Sequence, residues 1–232
     1  MITLGVDTSA VTVSVALGED GALLGESIAQ GKQKHSEVLL PMADALLRHC
    51  GLAIGDVGRF AVTSGPGSFT GVRIGVAAVK GLALAGNKLC AGTSTLEAMA
   101  AQAAFSDGVL CCAMDARRGQ VYAALFEANQ GKLKRLSEDE ALPIAELERR
   151  LPESDGPVTF LGDGAALCFE AMRKRPNWRP PPQWRLAPQQ WRFQRAWGAV
   201  LAAREEDYRP AGDLRALYLR PSQAERELQQ NI

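Results

Sequence analysis

Residues 65–75 read Gly-Pro-Gly-Ser-Phe-Thr-Gly-Val-Arg-Ile-Gly, and no other stretch limits the fold of this chain as tightly. An apolar run at 60–63 leads in, and a small-residue helical pattern at 72–85 leads out. A glycine-rich turn between a strand and a helix lets the main chain come close to something, either a phosphate or another stretch of backbone. A Walker-type loop requires GxxxxGK[ST], whose lysine reaches the phosphates. Here Gly65, Gly67 and Gly71 lead instead to Val72-Arg73. A dinucleotide fingerprint requires GxGxxG. Gly65-Pro66-Gly67 is followed by one residue too many before Gly71. Neither nucleotide motif fits.

Around this turn the hydrophobic pattern alternates between periods of two and of 3.6. Strands are expected at 2–8, 12–17 and 22–29, with a hairpin turn at 18–21. A helix follows from a Ser36 cap, with Val38, Leu39, Met42, Ala45 and Leu46 at helical spacing and a stop at Gly51. A strand at 60–63, the helix at 72–85, a strand at 89–92 and a helix capped by Ser94 or Thr93 complete the first half. The second half restarts the rhythm: strands at 109–113, 121–126 and 133–136, a helix at 144–151, and a strand at 158–161 that ends in Gly162-Asp163-Gly164. Both halves read strand, strand, strand, helix, strand, a duplication of architecture rather than of residues. The expectation is an α/β protein of mixed sheets with helices on their faces, divided at 1–105 and 106–232.

Composition removes several classes. Of 232 residues, 26 are Lys or Arg and 26 Asp or Glu, so the whole chain has no bias toward nucleic acid or membrane. No apolar run long enough to cross a bilayer is read, and the N-terminus lacks the regions of a signal peptide. The five cysteines show no CxxC spacing and are read as reduced thiols of a cytoplasmic protein; the adjacent Cys111 and Cys112 would face opposite sides of a strand. His35 and His49 form no HxxxH pair, so no metal site is expected. Residues 171–197 hold Trp178, Trp184, Trp191 and Trp197 among seven basic residues and no acid. They read as an amphipathic segment with its rings on the core and its arginines solvated. Stacking on RNA is the alternative use of the same residues.

Two groups of residues are candidates for function. On the helix after the glycine turn, Gly71, Gly75, Ala78, Gly81 or Leu82, and Ala85 share a face at three- and four-residue spacing, which lets a second helix approach closely. Arg73 and Lys80 forbid burial all round, although the small face could equally pack on its own sheet. At the end of the first strand, Asp7-Thr8-Ser9 could hold a metal-bound phosphate or merely close a turn. No Ser-His-Asp or Cys-His arrangement is compelled, and no catalytic residue is assigned.

Leu4-Gly5-Val6-Asp7-Thr8-Ser9 followed by Val13-Ser14-Val15-Ala16-Leu17 resembles the opening of the actin-like ATPase fold. His35-Ser36-Glu37-Val38-Leu39-Leu40-Pro41, the 65–75 stretch, Gly81-Leu82-Ala83, Ser94-Thr95-Leu96, Asp115-Ala116-Arg117, Val121-Tyr122 and Tyr218-Leu219-Arg220 resemble the TsaB (YeaZ) family. The resemblance runs to about residue 126 and recurs at the tail. It implies an actin-like (ASKHA) fold of two RNase H-like mixed-sheet domains. It also implies a part in N6-threonylcarbamoyladenosine modification of tRNA beside the anticodon, as the non-catalytic partner of the transferase TsaD together with the ATPase TsaE. No cofactor is implied. Gly71, Val72, Arg73, Ile74, Gly75, Ala78 and Leu82 would lie at or near the TsaD contact, and the same surface would make a homodimer in the protein alone. Asp7, Thr8 and Ser9 would be a vestigial phosphate site, and tRNA would be met through the complex. The alternatives are a nucleotide-binding enzyme of actin-like fold and a metallopeptidase homologue of the M22 type; the chain has no counterpart of the histidines that ligate metal in TsaD. Residues 171–197 are more aromatic and basic than the family pattern.

Overall fold

The computed structural model describes residues 1–31, 33–151, 156–174 and 183–220. Strands β1 (Ile2–Asp7), β2 (Thr12–Glu19) and β3 (Ala22–Gln30) form an antiparallel meander. Helix α1 (His35–His49) crosses over to β4 (Arg59–Gly65), which runs parallel to β1, and α2 (Phe69–Gly86) crosses over to β5 (Leu89–Ser94), parallel to β4. After α3 (Thr95–Gln102), the second sheet repeats the plan. Strands β6 (Gly108–Asp115), β7 (Gln120–Asn129) and β8 (Lys132–Arg135) form its meander, with β9 (Glu140–Pro143) added to β7. Helix α4 (Ile144–Arg150), β10 (Val158–Leu161), α5 (Ala165–Arg173) and β11 (Trp184–Leu186) supply the parallel crossovers. The chain then returns to the first sheet with α6 (Ala196–Ala202) and β12 (Arg209–Pro210), which pairs with β5. The sheet orders β12-β5-β4-β1-β2-β3 and β11-β10-β6-β7-β8 share one topology. This is the doubled RNase H-like architecture of the actin-like ATPase fold.

Burial explains why the first lobe reads as it does. Leu4, Val6, Val13, Val15, Leu17, Phe60 and Val62 meet α1 and α2 on one face of the first sheet. The opposite face carries Gly5, Ser14, Ala16 and Ala61, small enough for α6 to sit on the strands, with Ala196 N donating to Ser14 Oγ (2.8 Å). Helices α3 and α6 pack on each other between the sheets, and Leu96, Met99 and Ala100 of α3 join the inner face of the second sheet. Cys111 and Cys112 face opposite sides of β6, in separate cores, as alternation requires.

Several boundaries differ from expectation. Helix α1 begins at His35 after Lys34, so Ser36 lies inside the first turn and is not the cap. Helix α2 begins at Phe69, because Ser68 is its cap: Ser68 Oγ accepts from Gly71 N (3.3 Å). It ends on Asn87 in the left-handed region (φ 48°). Its 18 residues have mean hydropathy 1.3, enough by length and composition to cross a bilayer, contrary to the expectation that no such run exists. Arg73 and Lys80 project from it, and Val72, Val76, Val79 and Ala83 are packed in the first core, so it is a core helix of this lobe. Each of those valines, buried, stabilises the lobe by about 1.5–3 kcal/mol.

In the aromatic, basic segment, Trp178, Arg175, Arg179 and the proline run lie outside the described residues. Trp184 rests on Phe160 (ring centroids 5.8 Å), Trp191 meets Phe105 edge-on (5.2 Å), and Trp197 covers Gly18. Arg185 donates to Thr159 and Ser106, and Arg195 pairs with Glu26. These rings are half-buried against the core, as expected, but the arginines are not all solvated: Arg192 Nε is buried and Arg195 is largely covered against Glu26.

Candidate functional site

The glycine turn closes on the tip of the β1–β2 hairpin, main chain against main chain. Ser68 N donates to Ser9 O (2.7 Å), and Thr8 Oγ1 donates to Gly71 O (2.7 Å). A Cβ at Gly67 would overlap the carbonyl oxygen of Ser9, and one at Gly71 that of Thr8. A Cβ at Gly75 would lie 2.5 Å from Thr8 Oγ1. The glycines therefore admit backbone, and no room for a phosphate is left between turn and tip. Gly65 lies in the left-handed half of backbone space (φ 128°), and the strap residue Leu217 crosses over it, its amide donating to Ser64 O (2.7 Å).

This geometry sorts the helix residues singled out from sequence. Gly71, Val72 and Gly75 are buried against the sheet and the hairpin tip, so they carry the helix rather than present a surface. Ile74, Ala78 and Leu82 flank the buried stripe and are half-exposed. Arg73 is exposed. The small-residue stripe open to solvent is Thr70, Ala77, Gly81 and Ala85, with Leu84 beside it at 75 % exposure. A Cβ on Gly81 would meet nothing within 4 Å. The small face expected from sequence is thus divided along its width, with Gly71 and Gly75 on its buried edge and Gly81 and Ala85 on its exposed one.

At the tip, Asp7 is 1 % exposed. Its Oδ1 accepts from Ser9 N (2.9 Å) and Ser9 Oγ (2.8 Å), while Oδ2 is buried without a hydrogen bond. Burial pushes the carboxyl up to about 6; the two Ser9 bonds pull it down, and the charge of Asp163 adds to the rise. Asp163, in the turn after β10, is also raised by burial, against the pull of Gln194, whose Nε2 donates to its Oδ1 (3.0 Å). Gln194 is fully buried and ties the lobes, since Thr12 Oγ1 donates to its carbonyl (2.9 Å). No local signal marks Gln194 in the sequence; its partners lie 31 and 182 residues away. Among the described residues, no three His, Cys, Asp or Glu side chains converge as a metal site would require. Burial raises the thiol of Cys168 to about 12, which keeps it protonated and a poor nucleophile.

The tail residue Tyr218 completes the outer surface. Its ring lies against Phe69 (centroids 4.6 Å), and its hydroxyl accepts from Arg73 Nε (2.9 Å). Two residues on, Arg220 Nη1 donates to Ala116 O (3.1 Å), beside the β6–β7 turn.

A family model described as "TsaD: tRNA N6-adenosine threonylcarbamoyltransferase" matches residues 23–203. The tRNA threonylcarbamoyladenosine biosynthesis protein TsaB of Bacillus subtilis (strain 168) is 38% identical over 167 residues, 72% of this chain and 73% of that protein. The protein of the same name from Escherichia coli (strain K12) is 34% identical over 167 residues, 71% and 72% of the two. Among solved structures, YeaZ from Pseudomonas aeruginosa superposes with a TM-score of 0.79 at 28% identity, covering 94% of this chain and 99% of that one.

Proposed function

Because the chain belongs to the TsaB family, we propose that it acts in tRNA threonylcarbamoyladenosine biosynthesis as a non-catalytic subunit that docks TsaD. The observation that carries this reading is the closure of the glycine turn on the hairpin tip. The hydroxyls of Thr8 and Ser9, which a phosphate site would turn outward, bond within the fold. What the same turn leaves to solvent is the outer stripe of α2, with Arg73 at its start and Gly81 at its centre.

A stripe of small residues permits close backbone approach by a second helix, where dispersion contacts accumulate. The match of this chain to a model bearing the TsaD description supports a partner built on a similar lobe, presenting a similar helix. Pairing of two such lobes would be pseudo-symmetric, and two copies of this chain would pair by the same face when TsaD is absent. TsaE and tRNA would join through that assembly. Of the residues suggested by family resemblance, Arg73, Ile74, Ala78 and Leu82 would touch the partner, and Gly71, Val72 and Gly75 would set the pose of the helix.

Reconstitution tests the proposal. Modification of a tRNA transcript by the organism's TsaD and TsaE is expected to require this chain and to survive its Asp7→Asn variant. Modification that proceeds equally without the chain, or that fails with Asp7→Asn in a folded protein, would overturn it.

A further inference from the structure

Four arginines among the described residues lie over an aromatic ring, and three of them are also paired with a carboxylate of their own chain. Arg59 covers Tyr208 and pairs with Glu205, Arg135 covers Phe126 and pairs with Glu97 and Asp139, and Arg195 covers Trp191 and pairs with Glu26. The fourth is Arg73. Its guanidinium carbon sits 3.8 Å from the Phe69 ring centroid and 5.7 Å from that of Tyr218, and Nε donates to the Tyr218 hydroxyl. Among the described residues it has no carboxylate partner, and neither Nη donates a hydrogen bond to any of them.

We propose that Arg73 is the anchor of the docking face and takes a carboxylate from the partner helix. The proposal rests on the docking reading above and adds the chemistry of the contact. Arginine loses much rotamer freedom when it is captured. Here Phe69 and Tyr218 already fix the side chain, and Tyr218 follows Leu217, itself bonded to the β4 carbonyl of Ser64. Preorganisation of this kind raises affinity by removing an ordering cost from the binding step. The Nη pair, unbonded among the described residues, forms the planar fork that matches a carboxylate with two parallel bonds.

A phosphodiester could accept the same fork, but the surroundings favour a protein. Beside Arg73, the exposed stripe of α2 is Ala77, Gly81, Leu84 and Ala85, with Lys80 the other cation on the helix. An RNA surface takes several cations in a row. A fork set beside an apolar, desolvating stripe is the composition of a protein hot spot.

The test measures binding of wild type, Arg73→Glu, Arg73→Lys and Tyr218→Phe to the organism's TsaD at low and high salt, with thermal melts alongside and Gly81→Trp as the docking control. Arg73→Glu is expected to weaken binding by about thirtyfold or more at an unchanged melt. Arg73→Lys, which keeps the charge and loses the fork, is expected to cost about tenfold. Wild-type affinity should fall more steeply with salt than that of Arg73→Glu. If Arg73→Glu is misfolded, Arg73→Lys and Tyr218→Phe carry the comparison, since both keep the packing of the platform. Binding by these variants within about twofold of wild type, with Gly81→Trp inactive, would overturn the anchor and leave the docking face standing. Binding by Gly81→Trp at wild-type strength would overturn the docking reading and the anchor with it. Loss of filter-bound tRNA by Arg73→Glu with TsaD binding intact would show the oxyanion to be a phosphate and overturn the proposal.

Discussion

The hydroxyl of Thr8 donates to the main-chain carbonyl of Gly71 across 2.7 Å, joining the tip of the first hairpin to the first turn of α2. This bond decides between the two uses of a glycine-rich turn. The glycines bring backbone to backbone, and the helix they launch is held against the sheet by one face and open to solvent by the other.

Two glycine substitutions on this one helix should therefore have opposite signs. Gly71→Ala places a methyl on the carbonyl of Thr8, which cannot move without the hairpin, and is expected to destabilise the protein by about 2 kcal/mol or more. Gly81→Ala meets open space and is expected to stabilise it by about 0.5–1 kcal/mol through the helix preference of alanine. Thr8→Val, which keeps the shape and removes the donor, should cost about 1 kcal/mol. Urea unfolding of the three variants checks all of these.

Asp7 should impress a specific pH dependence on stability. Its folded pKa of about 6 stands above the ordinary carboxyl value of 3.8, so between those two values the folded state keeps a proton that the unfolded state has released. Stability attributable to Asp7 is then full below about pH 4, falls as pH rises, and is lower by about 3 kcal/mol above pH 6. Asp7→Asn removes that slope. Unfolding free energies of wild type and Asp7→Asn at pH 4.5 and 7.5 should diverge at the higher pH in favour of the variant. Parallel curves would refute the assignment.

Glu26 holds the return of the chain to the first lobe. Its carboxylate accepts from Arg195 Nε (3.1 Å) and from Trp197 N (3.2 Å), and its side chain is 6% exposed. Glu26→Ala leaves a half-buried guanidinium without its partner and is expected to cost about 3 kcal/mol, with a coupling to Arg195→Ala of about 1–3 kcal/mol in a double-mutant cycle. Additive single-mutant effects would show that the pair is not coupled.

Much of the fold is legible in the chain because β1 and β2 alternate at a period of two, β4 holds a short apolar run, and turns punctuate them. The two meanders and their crossovers follow from that rhythm. Helix α6 is not legible, since its seven residues follow a Trp- and Arg-rich stretch that masks a short helical pattern. The candidate site is legible in part. Small residues at three- and four-residue spacing suit a sheet and a partner equally well, so Gly71, Gly75 and Gly81 could not be sorted by spacing. The branched residues Val72, Val76 and Val79 carry the signal, since they mark the packed side and put Ala77 and Gly81 on the outer one. The contact of Arg73 with Tyr218 spans 145 residues, and that of Thr12 with Gln194 spans 182; both arise only when the tail has folded back.

Calorimetric titration of the organism's TsaD with Gly81→Trp, beside wild type, tests the docking account most directly, because the tryptophan fills open space and leaves the core untouched. The account expects wild-type thermal stability and binding reduced beyond detection. Binding at wild-type affinity by a Gly81→Trp protein of unchanged melting temperature would contradict it.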